Sequence, residues 1–493
     1  MAIRRWTICS ALALIGSVSH AQFRPLVVDA GKRQGMIRVH AETSLDQRYA
    51  TSEGAGPGAI FGKTAPERIV IPLALGRLDE FVPGGGRPWT VFPDENADPQ
   101  DPASYDFRAV DDLVRAAASE ADKSESASLA VRIRLAPVEA AASGKIEQAV
   151  RRIVMHFNEG WAQGHRLSIR EWQLCGLGAL ANGANGNQAL DVYETIADGL
   201  RRQDRSLRVG RCIGVRDRPG STNLARESRS PGRVFDFFSP LFKNLTNDPQ
   251  DPLRLAQTLR QQLDEEGLPK SEITLADSAF ELEGAGGDNS AAAAAAAFLA
   301  AALAYLQDAA VESVPIDLWS RATGPLEPKR HAVARAMAQM GDTPQRVSAL
   351  GGDKIGYAVL AGQSDDRSRV QILIANYQRR PSGLSVAEPA AGAATGSGEP
   401  RINPRPDSVF AYADSEGYDL DVSNLPWGAA DFGVYRYSID EERDLDLVWE
   451  GGGRGGGLRL RARLPAPGVE LIVLQREDRP VSDRLPRRRG RER

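Results

Sequence analysis

The 493-residue sequence has few of the residues that build metal centres and disulfide frameworks, with only three cysteines and five histidines. These counts exclude a disulfide-rich scaffold and a cysteine-based zinc module. The net charge is −4 with interspersed signs, which excludes the basic surface typical of nucleic-acid binding. We expect no metal and no cofactor, because four of the histidines are widely scattered along the chain: His40, His156, His165 and His331.

Long hydrophobic runs are equally scarce. The first is residues 8–18, which follows Arg4 and Arg5 and precedes a small-residue pattern ending at Ala21. A membrane-spanning helix needs about 20 apolar residues, so this run is too short to be one. The pattern is typical of a signal peptide over residues 1–21, cleaved after Ala21. It predicts a secreted or periplasmic protein.

A second apolar run begins at Ala291 and lies between Asp288 and Asp308. These flanking charges favour a buried helix over a membrane span, so we expect no membrane span. Cleavage at Ala21 would leave two cysteines, Cys175 and Cys212, in an oxidising compartment where a pair can form a disulfide. The sequence leaves open whether they are bridged or form a buried thiol pair.

Residues 65–340 alternate short β-branched or apolar runs with longer helical patterns, which is typical of a parallel α/β fold. Candidate strands begin near residues 69, 129, 169, 207, 234, 272 and 313. Apolar residues recur with helical spacing in the segments between them, most clearly near 109–121, 145–161, 188–203 and 251–267. Seven such units predict a (β/α)8 TIM barrel over residues 22–344, with the first strand not located.

After residue 345 the apolar residues alternate with period two and turns rich in glycine and proline separate the runs. This pattern predicts a C-terminal antiparallel β-sandwich over residues 345–478. Residues 381–406 are rich in Gly, Pro, Ala and Ser and are predicted to be a flexible insertion. The basic residues 479–493 are predicted to be a disordered tail.

Several blocks of sequence resemble, in order and spacing, the catalytic module of glycoside hydrolase family 39, which includes β-xylosidases and α-L-iduronidases. They are FPDENADPQDPASYDF (92–107), HFNEGWAQGHRLSIREWQ (156–173), FDFFSPLF (235–242) and LRQQLDEEGLPKSEITLADSAF (259–280). Three C-terminal blocks resemble that family's accessory sandwich: SNLPWG (423–428), YRYSID (435–440) and LPAPGVELIVL (464–474). The resemblance implies a barrel that binds or cleaves glycans.

The same resemblance shows where the catalytic carboxylates should be. Retaining glycosidases need a nucleophile and an acid/base about 5–5.5 Å apart at the carboxyl edge of the barrel. The family's acid/base glutamate falls on Leu177, which can neither give nor take a proton. The nucleophile position is Asp277, a shorter carboxylate that could instead cap local backbone.

Other carboxylates could substitute for the missing acid. Glu139 and Asp317 follow or lie near strand ends, and Trp319 beside Asp317 could stack on a sugar. Glu171 lies at the start of its strand and so at the wrong edge.

These residues lead to two functional hypotheses. The first is a catalytically degenerate family 39-like protein that binds an oligosaccharide or polysaccharide, or acts as a scaffold. The alternative is an active, β-xylosidase-like retaining glycosidase that uses Asp277 with a relocated acid.

Overall fold

The computed structural model describes residues 23–45, 68–76, 88–94, 96–123, 128–135, 143–176, 186–214, 235–241, 248–265, 267–275, 289–311, 314–317, 326–351, 356–378 and 417–477. In these residues the strands are, in chain order, β1 (Phe23–Met36), β2 (Val39–Ser44), β3 (Arg68–Leu75), β4 (Trp89–Phe92), β5 (Ser128–Leu135), β6 (Glu171–Gly176), β7 (Arg208–Gly214), β8 (Phe237–Leu241), β9 (Glu272–Ile273), β10 (Val314–Asp317), β11 (Gln345–Leu350), β12 (Tyr357–Gln363), β13 (Arg369–Asn376), β14 (Gly417–Ser423), β15 (Asp431–Ile439), β16 (Asp444–Arg454), β17 (Leu458–Arg463) and β18 (Gly468–Arg476). The helices are α1 (Arg108–Lys123), α2 (Ser143–Asn158), α3 (Gly186–Gln203), α4 (Asp251–Glu265), α5 (Asn289–Leu306) and α6 (Leu326–Met340).

The first half of the chain builds a parallel sheet with the strand order β10-β2-β3-β5-β6-β7-β8-β9. Seven of these strands match the sequence-based prediction, and β2 is the first strand that the sequence did not locate. The prediction missed β4, a four-residue strand that pairs with the second half of β3. The sheet therefore confirms the α/β class and the alternation of strands with helices.

The central strands of this sheet, β3, β5 and β6, are buried on both faces, which explains their nearly continuous apolar runs. In β3 every residue from Ile69 to Leu75 is buried. Alternate residues such as Ile71 and Leu73 join the main core, where they pack with residues of α1 and α2 such as Val110 and Ile153.

Helix α5 contributes many small side chains to the main core. It packs against α6 and also against β12, β13 and β18. Its alanine side chains are almost all buried. Their small size lets neighbouring elements pack close to the helix backbone. It is long and apolar enough to cross a membrane, but 67% of its most apolar window is buried in protein, in agreement with the predicted buried helix.

The second half builds a large, mostly antiparallel sheet with the order β16-β15-β18-β13-β12-β11-β1-β14-β17. One face, including Leu360 and Leu373, belongs to the main core around α5. The other face, including Ile372 and Tyr418, forms a separate core. The period-two pattern of the sequence arises from this alternation.

The N-terminal strand departs from the predicted domain division. The sequence analysis assigned residues from 22 onward to the barrel, but β1 pairs with β11 and β14 in the second sheet. Strand pairing is a tertiary property, and nothing in the apolar pattern of β1 identifies its partners. The predicted signal peptide, the insertion at 381–406 and the tail at 479–493 lie outside the described residues.

Candidate functional site

The strands of the parallel sheet end together at one edge, where α/β proteins of this kind bind their ligands. Gly176 is the last residue of β6, and Leu275 is the last described residue after β9. In the parallel sheet these are the fourth and seventh strands along the chain. Positions 177 and 277 follow these two strands.

The face of the sheet opposite the helices is polar. Its residues are buried but belong to neither apolar core: Arg132, Arg134, Gln173, Cys175, Cys212, Phe237 and Ser239. The register aligns them across strands, since Arg132 is opposite Gln173 and Cys212 is opposite Ser239. This polar face is not among the sequence-based predictions. The signal was available in RIRL of β5, where two arginines alternate with apolar residues in a buried strand.

Hydrogen bonds connect this polar face across three strands. Arg132 Nε donates to Gln173 Oε1 at 2.9 Å, and Gln173 Nε2 donates to Cys212 Sγ at 3.1 Å. Cys175 and Cys212 form a disulfide between β6 and β7, with their Cα atoms 4.7 Å apart. The structure thus resolves the open question of their state in favour of a bridge. The two buried guanidinium groups on β5 make this face suited to hydroxyl or carboxylate acceptors.

The end of β6 has a backbone conformation that favours glycine. Gly176 has a φ of 106°, and a Cβ there would lie 2.1 Å from the carbonyl oxygen of Leu135. The hydroxyl of Tyr193 donates to the Gly176 carbonyl. A larger residue would not fit here without movement of β5.

Most of the sequence-predicted site residues cannot be placed in the structure. Leu177, Asp277, Glu139 and Trp319 lie outside the described residues. Asp317 ends β10, where its backbone pairs with Glu42 of β2. Asp317 is the only one of these candidates among the described residues.

Glu171 lies at the opposite, amino edge of the sheet. It accepts from Arg68 Nη2 at 2.8 Å and from Arg208 Nη1 at 3.0 Å, and Arg208 also pairs with Glu272. The prediction that Glu171 lies at the wrong edge for catalysis agrees with this position. Its role is to join the strands β3, β6 and β7.

The expectation that the histidines are too scattered to cluster is wrong for two of them. His156 and His165 both face the carboxylate of Asp111. Burial acts to raise the pKa of Asp111, but hydrogen bonds and positive charge from the two imidazoles outweigh it and lower that pKa. The fold brings these residues together from α1, α2 and a loop, a proximity that their spacing in sequence did not indicate.

No protein-family model matches this chain, and no curated protein sequence matches it. Its structure is similar to that of a glucosidase from Croceicoccus marinus, with a TM-score of 0.70 and 25% identity over 92% of this chain and 100% of the other. The chain has a glycoside-hydrolase fold.

Two further solved structures agree with this fold. A family 39 enzyme from Xanthomonas axonopodis pv. citri has a TM-score of 0.58 at 12% identity, covering 94% of this chain and 100% of its own. A bacterial orthologue of human α-L-iduronidase has a TM-score of 0.57 at 12% identity, covering 93% of this chain and 84% of its own. Family 39 is thus among the glycoside-hydrolase families with this fold.

Proposed function

We propose that this chain is a secreted, family 39-like protein that binds a glycan at the carboxyl edge of a (β/α)8 barrel and has lost acid/base catalysis there. The observation that carries the proposal is the likeness to a glucosidase over nearly the whole length of both chains. Since a fold hosts many activities, the chemistry is argued from the site residues.

The strand order supports a closed barrel. In the described sheet the last parallel strand, β10, pairs with the first, β2, and the other strands follow in chain order. A pairing between β9 and β10 would complete the ring of eight. The large sheet has a second apolar core on the face that points away from the main core. A core enclosed by sheet residues in this way supports a β-sandwich.

The polar face supports a sugar site. Sugar sites combine hydrogen-bonding groups with aromatic planes. Arg134 and Ser239 lie toward the carboxyl ends of β5 and β8 and carry hydrogen-bonding groups on this face. A glycosidase would add two carboxylates after β6 and β9, but the residue after Gly176 is Leu177. Proton transfer is therefore lost at the position where the fold family performs it.

Export is supported by two independent features. The N-terminal pattern is typical of a signal peptide. The Cys175–Cys212 disulfide is a bond that persists in oxidising compartments.

The second candidate is an active glycosidase, and the 25% identity to a solved glucosidase favours it. In this case Asp277 would act as the nucleophile and Glu139 or Asp317 as the acid. Trp319 would stack on the sugar.

Calorimetric titration of the chain lacking residues 1–21 with gluco-, xylo- and uronic-acid oligosaccharides tests both candidates, alongside turnover of the matching aryl glycosides. We expect binding without turnover, weakened by Asp277→Ala. The matched control is Asp264→Ala, which removes an exposed carboxylate on α4. Turnover that Asp277→Ala abolishes would replace the first candidate by the second. Neither binding nor turnover would refute both.

A further inference from the structure

Three potential metal ligands meet at the outer side of the parallel sheet. Asp111 lies in the first turn of α1, His156 in the last turn of α2, and His165 in the loop that leads to β6. The Nε2 atoms of His156 and His165 lie 2.8 Å and 3.1 Å from the same oxygen, Asp111 Oδ1. One ligand atom from each residue lies within 4.8 Å of the other two.

The two contacts of the His156 ring require a proton or a cation at its Nε2 atom. Its Nδ1 lies 2.9 Å from the carbonyl oxygen of Trp161, which can only accept, so Nδ1 carries the hydrogen. In a neutral ring Nε2 is then a bare lone pair, yet it faces a carboxylate oxygen. The His156 side chain is 1% exposed, so water cannot reach Nε2 and separate it from the carboxylate oxygen. Either a second proton or a metal cation must lie between Nε2 and Asp111.

We propose that Asp111, His156 and His165 bind a divalent transition-metal ion of the zinc type. Two imidazole nitrogens and one carboxylate oxygen are a ligand set that Zn²⁺ accepts, with water in the fourth position. Asp111 retains 24% exposure and His165 12%, so solvent reaches the site. The Nδ1–H of His156 bonded to a backbone carbonyl is the outer-shell contact that fixes a metal-binding tautomer.

The surrounding residues hold both rings in the ligating orientation. Phe107 stacks on His156 with ring centres 3.5 Å apart, and Phe157 lies parallel to His165. The backbone N–H of His165 donates to the carbonyl of His156 at 2.6 Å. A Cβ on Gly164 would lie 2.1 Å from that carbonyl oxygen. A glycine is therefore needed for the loop to pass this close to the end of α2.

The position of the cluster indicates a structural role. The loop that holds His165 leads into the amino end of β6, whereas the proposed glycan site lies at the carboxyl end. A bound ion would tie α1 to the connection between α2 and β6. We expect it to stabilise this part of the fold independently of glycan binding.

The test uses the chain without residues 1–21 and without a polyhistidine tag, freed of metal by a chelator and titrated with Zn²⁺ and Co²⁺. We expect one ion per chain, the visible absorption of four-coordinate Co²⁺, and a higher midpoint of thermal unfolding with Zn²⁺. Asp111→Asn and His165→Gln should each weaken binding by more than about a hundredfold, because loss of a ligand exceeds loss of an outer-shell partner.

Two controls match these changes. Asp112→Asn alters the neighbouring carboxylate, which is 86% exposed, and His331→Gln alters a histidine on α6. Both should bind zinc as the unaltered chain does. Because the unaltered chain is itself titrated, misfolding of a ligand variant cannot mask the result. Absence of Zn²⁺ and Co²⁺ binding, with nitrogen NMR showing both nitrogens of His156 protonated, would overturn the proposal in favour of an imidazolium–carboxylate pair.

Discussion

The hydroxyl of Tyr193 on α3 donates a hydrogen bond to the backbone carbonyl of Gly176 at 2.9 Å. The Tyr193 side chain is held from the other side by Arg211, whose Cζ lies 4.8 Å from the ring centre. The last residue of β6 is therefore fixed both by the next helix and by the close backbone of Leu135. The carboxyl end of β6 therefore has little conformational freedom.

Gly176→Ala should lower the free energy of unfolding by about 2–4 kcal/mol, because the new Cβ adds a clash to a left-handed φ. Chemical denaturation measures this change. Gly267→Ala is the matched control, since Gly267 also has a positive φ of 76° but open space around it. The free energy of unfolding of Gly267→Ala should fall by about 1–2 kcal/mol. Equal losses in the two variants would contradict a tight approach to Leu135.

Replacing both Cys175 and Cys212 by alanine should lower the free energy of unfolding by about 3–4 kcal/mol, since the bridge closes a loop with a sequence separation of 37. Denaturation under non-reducing conditions measures the loss. Reduction of the unaltered chain should produce a similar loss, and thiol titration without reductant should detect neither cysteine. In the unfolded, unreduced chain lacking residues 1–21, which contains no other cysteine, reactive thiols would show that the bridge is absent.

Glu470→Gln should destabilise the second sheet by about 3–5 kcal/mol, because it leaves the charge of Arg436 without its buried partner. Glu470 is 1% exposed and accepts from both Arg436 and the hydroxyl of Tyr418. Burial, together with the charge of Glu470, raises the pKa of Tyr418. For comparison, Asp419→Asn breaks an exposed pair with Arg461 and should cost less than about 1 kcal/mol.

Asp366 should make stability depend on pH in the acid range. Hydrogen bonds from Ser364 and Ser368 lower its pKa from 3.8 to about 2. Because the pKa of Asp366 is lower in the folded state, its ionised carboxylate stabilises the fold above pH 3.8. This contribution is lost as the pH falls toward about 2 and the carboxylate is protonated. Urea unfolding at a series of pH values should show that the free energy of unfolding falls less steeply with decreasing pH in Asp366→Asn than in the unaltered chain. Asp365→Asn removes an exposed charge but keeps an oxygen that can accept from Gln345, so this variant should follow the unaltered chain.

Ser239→Ala should leave the stability unchanged or raise it by about 1 kcal/mol, because the buried hydroxyl has no hydrogen-bond partner within the part of the chain that the structure describes. Thr343→Val is the contrasting change, since the Thr343 hydroxyl is buried and bonded to Met340 and Gln371. It should cost about 1–3 kcal/mol. Thermal unfolding of the two variants gives the comparison, and a loss at Ser239 as large as that at Thr343 would contradict the prediction.

The sequence predicted most elements of the fold, because burial on both faces gives strands such as β3 and β5 a continuous apolar composition. Helices α1 to α4 were equally visible from their apolar spacing. Strand partners were not predictable in this way. Residues 23–36 carry no local feature that distinguishes pairing with β11 from membership of the parallel sheet.

The candidate site was predictable only in part. The resemblance placed two catalytic positions after β6 and β9, and the structure ends these strands at the same edge. Leu177, Asp277, Glu139 and Trp319 stay predictions. The Asp111, His156 and His165 cluster was missed because its members come from separate elements, although the glycines at 160 and 164 indicate a loop that returns His165 toward α2.

The pairing of β1 with β11 has a consequence for how the molecule folds and evolves. Met36 lies opposite Gln345, and the backbone N–H of Ile37 donates to the carbonyl of Pro344. Residues 37–344 therefore leave and rejoin the second sheet at one point, as an inserted domain does. During folding, the sheet around β1 is complete only once β14, nearly 400 residues later in the chain, has paired with it. A fragment starting at residue 345 would lack an interior strand and expose two strand edges.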